Sequence, residues 1–307
     1  MRCLVIGGCG FIGKRIIKGL VADGYVVRVF DRPSNIENFD LKENVELFSG
    51  DFINEEDVNN AIAGCDFIYH LISTTVPQTS NENPIYDVET NLLGTIKMLS
   101  LAVKHGVKKV LFSSSGGTVY GVPVYAPIDE KHPTDPICSY GVTKLAIEKY
   151  LHLYYVIYGL DYCVLRVSNV YGEGQTIKPS QGVIGVFIEK AMKGKIIEVW
   201  GDGSVVRDYI HIADVASAFI KATTYDGKSK VFNISSGEGK SINEILTVLQ
   251  NKIGHELELK YMEGRPVDVP VNVLTNALAI KELGWSVKES LDSGIEKTLI
   301  FNRHLSF

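Results

Sequence analysis

The chain has 307 residues, of which 45% are apolar and 22% charged, and its formal net charge at pH 7 is −5. This is an ordinary globular composition, with enough length for one large domain or two modest ones. The negative charge argues against a nucleic-acid-binding surface, which needs a basic patch. No apolar run reaches the roughly 18 residues of a membrane span, and no signal peptide opens the chain.

Five cysteines are scattered along the chain without the spacing of a disulfide framework or a metal site. Cys3, Cys65 and Cys163 lie in or beside predicted strands, which favours buried thiols. We therefore expect a cytoplasmic protein that binds no metal and has neither nucleic acid nor a membrane as its partner.

The start of the chain predicts a strand, a glycine turn, a helix and a second strand. Residues 2–6 form a buried strand, and Gly7, Gly10 and Gly13 follow it directly. Apolar residues up to Val21 then recur at helical spacing. Glycine at such a turn lets a pyrophosphate approach the backbone, and the free N–H groups at the start of the helix favour its negative charge. The opening therefore predicts a dinucleotide site.

The second strand of this unit ends at Asp31. A carboxylate at that position can accept hydrogen bonds from an adenosine ribose and would repel a 2′-phosphate. The neighbouring Arg32 favours the phosphorylated cofactor instead. We expect NAD rather than NADP.

Strands and helices alternate through the rest of the first half. The predicted elements are strand 45–49, helix 55–63 opened by Asn54, strand 66–72, helix 86–104, strand 109–113, helix 140–158 and strand 162–167. Such alternation is typical of a parallel sheet covered by helices on both faces. The predicted class is α/β, a Rossmann-type doubly wound parallel sheet with a smaller C-terminal lobe.

The second half of the chain is less regular. The predicted elements are helix 183–193, strand 196–199, helix 212–223, strand 231–234, a helix to 253 opened by the capping box Ser241 and Glu244, and helices 276–283 and 291–302. No linker separates the lobes. We assign residues 1–169 and 206–236 to the nucleotide-binding domain and 170–205 and 237–307 to the substrate-binding domain.

Tyr140 and Lys144 lie four residues apart on a predicted helix, so their side chains share one face. A free tyrosine has a pKa of about 10 and is a poor base at neutral pH. A nearby ammonium group favours the phenolate, which makes Tyr140 a candidate general base or acid.

Further motifs follow the predicted strands. They are the glycine spacing G-x-x-G-x-x-G, the loop Ser-Ser-Ser-Gly-Gly-Thr-Val-Tyr-Gly at 113–121, Asn-Val-Tyr-Gly at 169–172, Arg-Asp-Tyr at 207–209 and Arg-Pro-Val-Asp at 265–268. From about residue 2 to about residue 300, the chain resembles the extended short-chain dehydrogenase/reductase superfamily. Within it, the chain is most similar to the NAD-dependent epimerase/dehydratase family and its nucleotide-sugar 4-epimerases.

The resemblance implies which residues hold the cofactor. Its adenine, pyrophosphate and active-site asparagine motifs match the stretches 50–52, 70–73 and 91–95. The residues assigned to NAD are Gly7, Gly10, Phe11, Ile12, Gly13, Asp31, Arg32, Asp51, Phe52, Leu71, Ser73, Asn91, Ser114, Tyr140, Lys144 and Ser168.

Gly94 costs a helix about 1 kcal/mol relative to alanine, so close packing is expected there.

The resemblance also implies a nucleoside-diphosphate sugar as the substrate. Arginine forks suit a diphosphate because each guanidinium is planar and permanently charged. The residues assigned to the substrate are Gly116, Thr118, Asn169, Arg207, Arg265, Asp268 and Asn272.

The serine-rich loop departs from the family at one position. The family normally places a catalytic serine or threonine three residues before the valine of this loop, and here that residue is Gly116. Thr118 can supply a hydroxyl to the reacting oxygen of the sugar, with Ser114 and Ser115 as alternatives if the loop shifts. Ser113 is expected to cap backbone groups at the end of its strand.

The loop also lacks the acidic pair of the family's 4,6-dehydratases and the glutamate of its decarboxylases. The remaining chemistry needs only a hydride and a proton. We predict a 4-epimerase that acts through a 4-keto sugar, with Tyr140, Lys144 and Thr118 as catalytic residues. A reductase of dTDP- or GDP-linked 4-keto-6-deoxy sugars is the alternative, and a non-catalytic NAD sensor is a further one.

The resemblance carries two more expectations. Relatives that epimerise small hexoses can hold a tyrosine four residues after the aspartate of the Arg-Pro-Gly-Asp motif, where this chain has Asn272. The smaller side chain predicts tolerance of an N-acetylated sugar, unless Asn272 only turns the backbone after Pro270. Helices 86–104 and 140–158 are apolar on more than one side, and relatives pair such helices across a homodimer, which is expected here.

Overall fold

The structure is a computed structural model that describes residues 1–41, 44–175, 182–264 and 269–305. Its strands are β1 (Arg2–Ile6), β2 (Val26–Asp31), β3 (Val45–Ser49), β4 (Phe67–His70), β5 (Lys109–Ser115), β6 (Asp161–Val167), β7 (Asn169–Tyr171), β8 (Ile197–Trp200), β9 (Val206–His211), β10 (Val231–Ile234), β11 (Gly239–Ser241), β12 (Leu259–Met262) and β13 (Val271–Asn272).

Helices occupy much of the remaining chain. They are α1 (Phe11–Ala22), α2 (Pro33–Glu37), α3 (Glu55–Ile62), α4 (Pro77–Ser80), α5 (Pro84–Asp87), α6 (Gly94–Lys104), α7 (Ser139–Tyr158), α8 (Val183–Met192), α9 (Ile212–Thr224), α10 (Ile242–Ile253), α11 (Ala277–Leu283) and α12 (Leu291–Leu305), with a π-helical segment, Val88–Leu93, between α5 and α6. In the described ranges, no helix has both the length and the apolarity of a membrane span.

Seven parallel strands form the main sheet, in the order β10-β6-β5-β4-β1-β2-β3. In β1, the side chains of Leu4, Val5 and Ile6 are all fully buried. A continuous apolar run of this kind is what a parallel strand covered on both faces requires. The predicted α/β class with a doubly wound parallel sheet is therefore confirmed.

Helices cover both faces of this sheet. On one face, α1 and α9 pack together and bury Ile16, Leu20 and Phe219. On the other face, α3, α6 and α7 bury residues such as Met98 and Ile147. The cysteines at positions 3, 65 and 163 are all buried, as predicted.

The strand order reverses at β1, because β2 and β3 follow on one side of it and β4 lies on the other. Just beyond β1, the Gly7 amide donates to the Phe30 carbonyl at 2.9 Å. On the other side, the Leu71 amide donates to the Ile6 carbonyl at 3.0 Å. Sheets of this type bind ligands in the crevice outside this point of reversal.

A smaller sheet forms the second lobe around β9. This strand pairs with β11 in antiparallel orientation and with β7 and β13 in parallel orientation. β8 and β12 form a separate parallel pair. Phe187, Ile188 and Ile245 belong to the apolar core of this lobe, which includes side chains of α8, α10 and α12.

The chain crosses between the two lobes more often than the predicted domain limits imply. Segment 206–236 is divided, since β9 belongs to the smaller sheet, whereas α9 packs on α1 and β10 is an edge of the main sheet. Within 237–307, α11 packs on α9 and β10, and Ala279 and Trp285 are buried in the core of the main sheet. The apolar contacts of each element decide its lobe.

The helix predicted over 86–104 is interrupted by the π-helical segment, and α6 begins only at Gly94. A wider turn of this type keeps the apolar spacing nearly helical, so periodicity alone does not reveal it. A Cβ atom at Gly94 would lie 2.8 Å from the Phe52 ring, which confirms the close packing predicted there.

Candidate active site

The glycine turn lies at the reversal point of the main sheet. Gly7 has a φ of +79°, and a Cβ atom there would lie 3.0 Å from the Ile72 amide nitrogen. A Cβ atom at Gly13 would lie 2.6 Å from the Gly8 carbonyl oxygen, so only glycine lets α1 approach the turn this closely. Gly10 caps α1 without a side-chain hydrogen bond, and the first turn carries no acidic residue. Phe11 and Ile12 form the start of that turn, which fits a pyrophosphate.

Asp31 is buried at the carboxyl end of β2, and both of its oxygens are held by hydrogen bonds. Oδ2 accepts from the Cys9 amide at 3.0 Å. Oδ1 accepts from the Arg32 amide at 2.9 Å and from Asn35 Nδ2 at 2.6 Å. The Arg32 side chain is exposed. The carboxylate is therefore fixed beside the glycine turn, where the ribose of a dinucleotide is expected.

We expect the protein to bind NAD more tightly than NADP, because Asp31 repels a 2′-phosphate and accepts from a free ribose hydroxyl. Asp31→Ser should lose most of this preference, since Arg32 then meets the phosphate unopposed. Fluorescence titration of both cofactors against wild type, Asp31→Ser and Arg32→Ser measures it. Equal or tighter NADP binding by the wild-type protein contradicts the prediction.

The predicted adenine motif follows β3. Asp51 is exposed, its amide donates to Asp57 Oδ2 at 2.9 Å, and its Oδ1 accepts from the Ile53 amide at 3.2 Å. The Phe52 ring is buried 5.2 Å from the His70 ring. The structure therefore leaves Asp51 accessible at the sheet edge, whereas the Phe52 side chain belongs to the core.

The predicted pyrophosphate and asparagine motifs meet at the end of β4. Leu71 is half-buried, and the exposed Ser73 donates from Oγ to the Thr75 carbonyl at 3.0 Å. Asn91 lies in the π-helical segment, where its Oδ1 accepts from the Thr74 amide at 3.0 Å and its Nδ2 donates to Asp87 Oδ1 at 2.9 Å. Asn91 thus anchors the loop after β4 to the helix.

Tyr140 and Lys144 lie on α7, with the half-buried tyrosine one turn before the buried lysine. Lys144 Nζ lies 5.5 Å from the centroid of the Tyr140 ring and 4.7 Å from that of Phe112. Nζ also donates to the Ser113 carbonyl at 2.9 Å. The structure therefore brings the predicted catalytic pair together against the end of β5.

Burial dominates the electrostatics of this pair. It raises the pKa of Tyr140 well above its ordinary value, and the neighbouring Cys138 and Asp87 raise it further. Burial also lowers the pKa of Lys144 to about 8, partly offset by the carboxylates of Asp87 and Glu148. Burial therefore opposes the phenolate form of Tyr140, which the nearby Lys144 ammonium favours.

The loop after β5 presents its hydroxyl groups in different directions. Ser114 is buried and donates from Oγ to Glu148 Oε1 at 2.6 Å, away from the loop tip. The Thr118 Oγ1 atom is buried and has no hydrogen-bond partner among the residues that the structure describes. Of the predicted hydroxyls, Ser114 is therefore engaged with Glu148, whereas Thr118 and the half-buried Ser115 remain candidates to bind a ligand.

The space where a side chain at position 116 would lie is filled by Leu274. A Cβ atom at Gly116 would lie 2.3 Å from Leu274 Cδ1, and Leu274 is fully buried. The Leu274 segment is held on this loop, because the Ile128 amide donates to the Val273 carbonyl at 2.8 Å and the Thr275 amide donates to the Ile128 carbonyl at 2.9 Å. A leucine thus occupies the space of a side chain at 116.

Ser168, which the sequence assigned to NAD, lies near β9 together with the predicted substrate residues Asn169, Arg207 and Asn272. The Ser168 hydroxyl donates to Asp208 Oδ1 at 3.0 Å, and the Asn169 amide group donates to the Asp208 carbonyl at 2.8 Å. Arg207 is half-buried and donates from Nη1 to the Val206 carbonyl at 2.9 Å. Asn272 is its register partner on β13. Ser168 therefore supports β9 rather than pointing to an open site.

Asn272 is buried, and its Oδ1 has no hydrogen-bond partner within the described ranges. It lies in a strand rather than at a turn. A nearby cavity of about 260 Å³ is lined by Trp200, Gly201, Ser204, Val205, Gly264, Pro270 and Val271. Val271 pairs in register with Val206, which places this cavity beside Arg207. Arg265 and Asp268 lie outside the described residues.

Two charged groups at the site were not predicted. Glu148 lies four residues after Lys144, and it forms a buried ion pair with Arg166 at 2.6 Å. Asp87 lies four residues before Asn91 and is also fully buried. In both cases the four-residue spacing from a predicted site residue was a signal that helical geometry makes meaningful.

A glycine turn at a reversal point, an acid after the second strand and a Tyr–Lys pair beside β5 define an NAD-binding protein of the extended short-chain dehydrogenase/reductase class. The model of the NAD dependent epimerase/dehydratase family matches residues 3–235. The chain belongs to that family, and its relatives include nucleotide-sugar epimerases.

Two relatives illustrate the range of the family. The putative UDP-glucose 4-epimerase of Methanocaldococcus jannaschii is 35% identical over 298 residues, with 96% of each chain covered. The dTDP-4-dehydro-6-deoxyglucose reductase of Escherichia coli is 32% identical over 305 residues, also with 96% of each chain covered.

Solved structures match across the whole chain. The UDP-glucose 4-epimerase of Thermotoga maritima, solved with UDP-glucose, has a TM-score of 0.94 at 35% identity, and the match covers 100% of both chains. The UDP-glucose 4-epimerase of Thermus thermophilus, solved with NAD, has a TM-score of 0.90 at 32% identity and 99% coverage of both.

Proposed function

We propose that the protein inverts C4 of a nucleoside-diphosphate hexose through a 4-keto sugar. The observation that carries this proposal is the placement of Tyr140, Lys144 and the unpartnered Thr118 hydroxyl around the end of β5. Relatives and solved structures named UDP-glucose 4-epimerase support it.

In this mechanism Tyr140 accepts the proton of the sugar 4-hydroxyl and returns it to the 4-keto oxygen in the second half of the cycle. Thr118 forms a hydrogen bond to the same oxygen. Lys144 stabilises the phenolate that accepts this proton and that forms again when the proton is returned. When held at the glycine turn and Asp31, NAD would supply the hydride acceptor and then the hydride donor for C4.

The diphosphate end of the substrate is assigned to the second lobe. Arg207 supplies a permanent positive charge beside β13, and Asn169 lies on the neighbouring strand β7. The cavity lined by Trp200 has one large aromatic side chain, which suits the flat face of a nucleobase. We extend the diphosphate contact to Arg265 and Asp268 from the sequence motif.

A turnover screen tests this function. Purified protein is incubated with UDP-, GDP- and dTDP-hexoses, with and without added NAD, and the products are separated by chromatography. Conversion of one sugar into its C4 epimer with no net change in NADH absorbance supports the proposal. Absence of any epimer with all three nucleotides contradicts it.

A 4-ketoreductase is the second candidate, and it is favoured by the Escherichia coli relative and by the glycine at position 116. Such an enzyme would use the same Tyr140, Lys144 and cleft. It is distinguished by stoichiometric consumption of NADH or NADPH with a dTDP- or GDP-linked 4-keto-6-deoxy sugar.

The buried oxygen of Asn272 favours a substrate with an amide N–H, since a buried acceptor without a partner is costly. We expect an N-acetylhexosamine nucleotide to be turned over. Asn272→Tyr should lower its kcat/KM at least about tenfold relative to the plain hexose nucleotide, because a ring fills the space of the N-acetyl group. An unchanged ratio of the two kcat/KM values shows that residue 272 does not line the sugar pocket.

We propose that the protein is a homodimer, because α5, the π-helical segment after it and the neighbouring α7 expose apolar side chains. These are Ile85, Val88, Leu93, Val142, Leu153, Val156 and Ile157, of which Ile85 is 71% exposed and Val156 64%. Light scattering should report about twice the mass of the 33.9 kDa chain. Val156→Asp should shift the mass toward one chain, and a wild-type mass of one chain at all concentrations refutes the dimer.

A further inference from the structure

Asp87, at the end of α5, has no exposed surface and receives hydrogen bonds from four side chains. Oδ1 accepts from the Thr75 hydroxyl and from Asn91 Nδ2, the latter at 2.9 Å. Oδ2 accepts from the Ser139 and Thr143 hydroxyls, both at 2.8 Å. A buried carboxylate is stable only when its oxygens are satisfied in this way.

These four donors come from the segments that surround the catalytic pair. Thr75 belongs to the loop after β4, and Asn91 to the π-helical segment. Ser139 and Thr143 lie in the first turns of α7, each immediately before Tyr140 and Lys144 in the chain. Since residues four apart share a helix face, the Ser139–Thr143 face is adjacent to the face of the catalytic pair.

The start of α7 has no side-chain cap from its own N-cap residue, Cys138. Side chains from another segment of the chain accept hydrogen bonds from its first amides instead. Asn81 Oδ1 accepts from the Ser139 amide at 2.8 Å, and Ser80 Oγ accepts from the Tyr140 amide at 3.0 Å. The hydroxyl bonds to Asp87 complete this external anchor of the first turn.

We infer that Asp87 is a positioning residue for Tyr140 and Lys144, because its carboxylate joins α7 to the loop after β4 and places a negative charge beside the catalytic pair. The inference rests on the proposed function of Tyr140. It assigns to Asp87 no contact with substrate or cofactor.

The charges around the pair agree with this role. The Asp87 carboxylate raises the pKa of Lys144 and so opposes the effect of burial, which favours the ammonium form. It also raises the pKa of Tyr140. The other groups that act on the pair are Cys138 on the tyrosine and Glu148 on the lysine. Burial lowers the pKa of the neighbouring His70 to about 3, and the Lys144 cation contributes to this shift.

Two substitutions separate charge from anchoring. Asp87→Asn keeps the shape, and the serine and threonine hydroxyls can rotate to accept from its amide group. Asp87→Ala leaves the Thr75, Ser139 and Thr143 hydroxyls without this acceptor, whereas Asn91 Nδ2 keeps Thr74 Oγ1 and the backbone carbonyl of residue 87. Asp214→Asn is the matched control, because Asp214 is also buried and accepts from the Lys288 and Glu289 amides at 3.0 Å, on α9 of the opposite sheet face.

We expect Asp87→Ala to lower kcat by on the order of 10²-fold, the scale of a small misplacement of reacting groups, with a smaller change in KM. Asp87→Asn should retain more activity and shift the acid limb of the kcat profile to lower pH, because loss of the anion lowers the pKa of Tyr140. Asp214→Asn should lower only the stability. Loss of stability in Asp87→Asn with wild-type kcat and pH profile overturns the inference.

A measurement without turnover keeps this test separate from the proposed function. The protein is labelled with ¹³Cε-lysine, and the Lys144 signal is assigned by its absence in Lys144→Met. In Asp87→Asn the titration of Lys144 should move to lower pH than in wild type and in Asp214→Asn. An unmoved titration refutes the role of Asp87 even if an epimerase is found, whereas a shifted one upholds it even if no nucleotide sugar is turned over.

Discussion

Tyr140→Phe should lower kcat by about 10²–10⁴-fold, the usual cost of losing a general acid or base, while NAD remains bound. Only the phenolic oxygen is removed, and the ring keeps its position beside Lys144 Nζ, 5.5 Å from the ring centroid. Turnover of the nucleotide sugar and titration with NAD measure the two parts of the prediction.

Tyr155→Phe is the control for this substitution, because Tyr155 lies on the same helix with its side chain exposed. It should leave kcat within experimental error of wild type. A Tyr140→Phe protein with near-complete activity would place the base elsewhere, and loss of NAD binding would mean that the substitution disturbs the fold.

Glu148→Leu should lower the free energy of unfolding by about 3–5 kcal/mol, because it leaves the buried Arg166 without its counter-charge. Arg166 donates to Glu148 from Nε at 3.0 Å and from Nη2 at 2.6 Å, and both side chains are 5% exposed or less. Ser114 loses its acceptor as well. Urea unfolding followed by circular dichroism gives the free energy.

The double variant Glu148→Leu/Arg166→Met is the matched control. It replaces both charges by apolar groups of similar length, so its stability should return toward wild type. If the double variant is as unstable as the sum of the two single variants, the cost arises from packing and not from the unpaired charge.

Local features of the sequence predicted several elements closely. The strand 231–234 is β10, and the helix opened by Ser241 and Glu244 ends at Ile253, as predicted. In the capping box, the Glu244 amide donates to Ser241 Oγ at 3.2 Å, and Glu244 Oε2 accepts from the Ser241 amide at 2.8 Å. Partners three residues apart close this contact without help from the rest of the fold.

Short strands of the second lobe were missed, among them β13, which carries Asn272. It pairs with β9 only because segments about 65 residues apart in the chain meet. Strands of two or three residues, such as β7, β11 and β13, have too short a pattern for periodicity to detect. Their pairing depends on the partner strand, which the local sequence does not contain.

At the predicted site, too, features set by neighbouring residues could be predicted, whereas contacts between distant segments could not. Gly7, Asp31, Tyr140 and Lys144 could be proposed from the sequence because a tight turn, a strand end and one helix face each involve neighbouring residues. The exclusion of a side chain at Gly116 by Leu274 joins positions 158 residues apart. That contact depends on the packing of the two lobes.

Local sequence was therefore sufficient for the α/β class, the order of the main elements and the proximity of Tyr140 and Lys144, since short-range hydrogen bonds and side-chain periodicity set these. Tertiary packing decided the pKa values of Tyr140 and Lys144. Burial raised the pKa of Tyr140 and lowered that of Lys144 to about 8, whereas their spacing alone indicated only that the ammonium favours the phenolate. Solvation depends on everything that surrounds a group, and Asp87, which anchors α7, comes from a segment some 50 residues earlier in the chain.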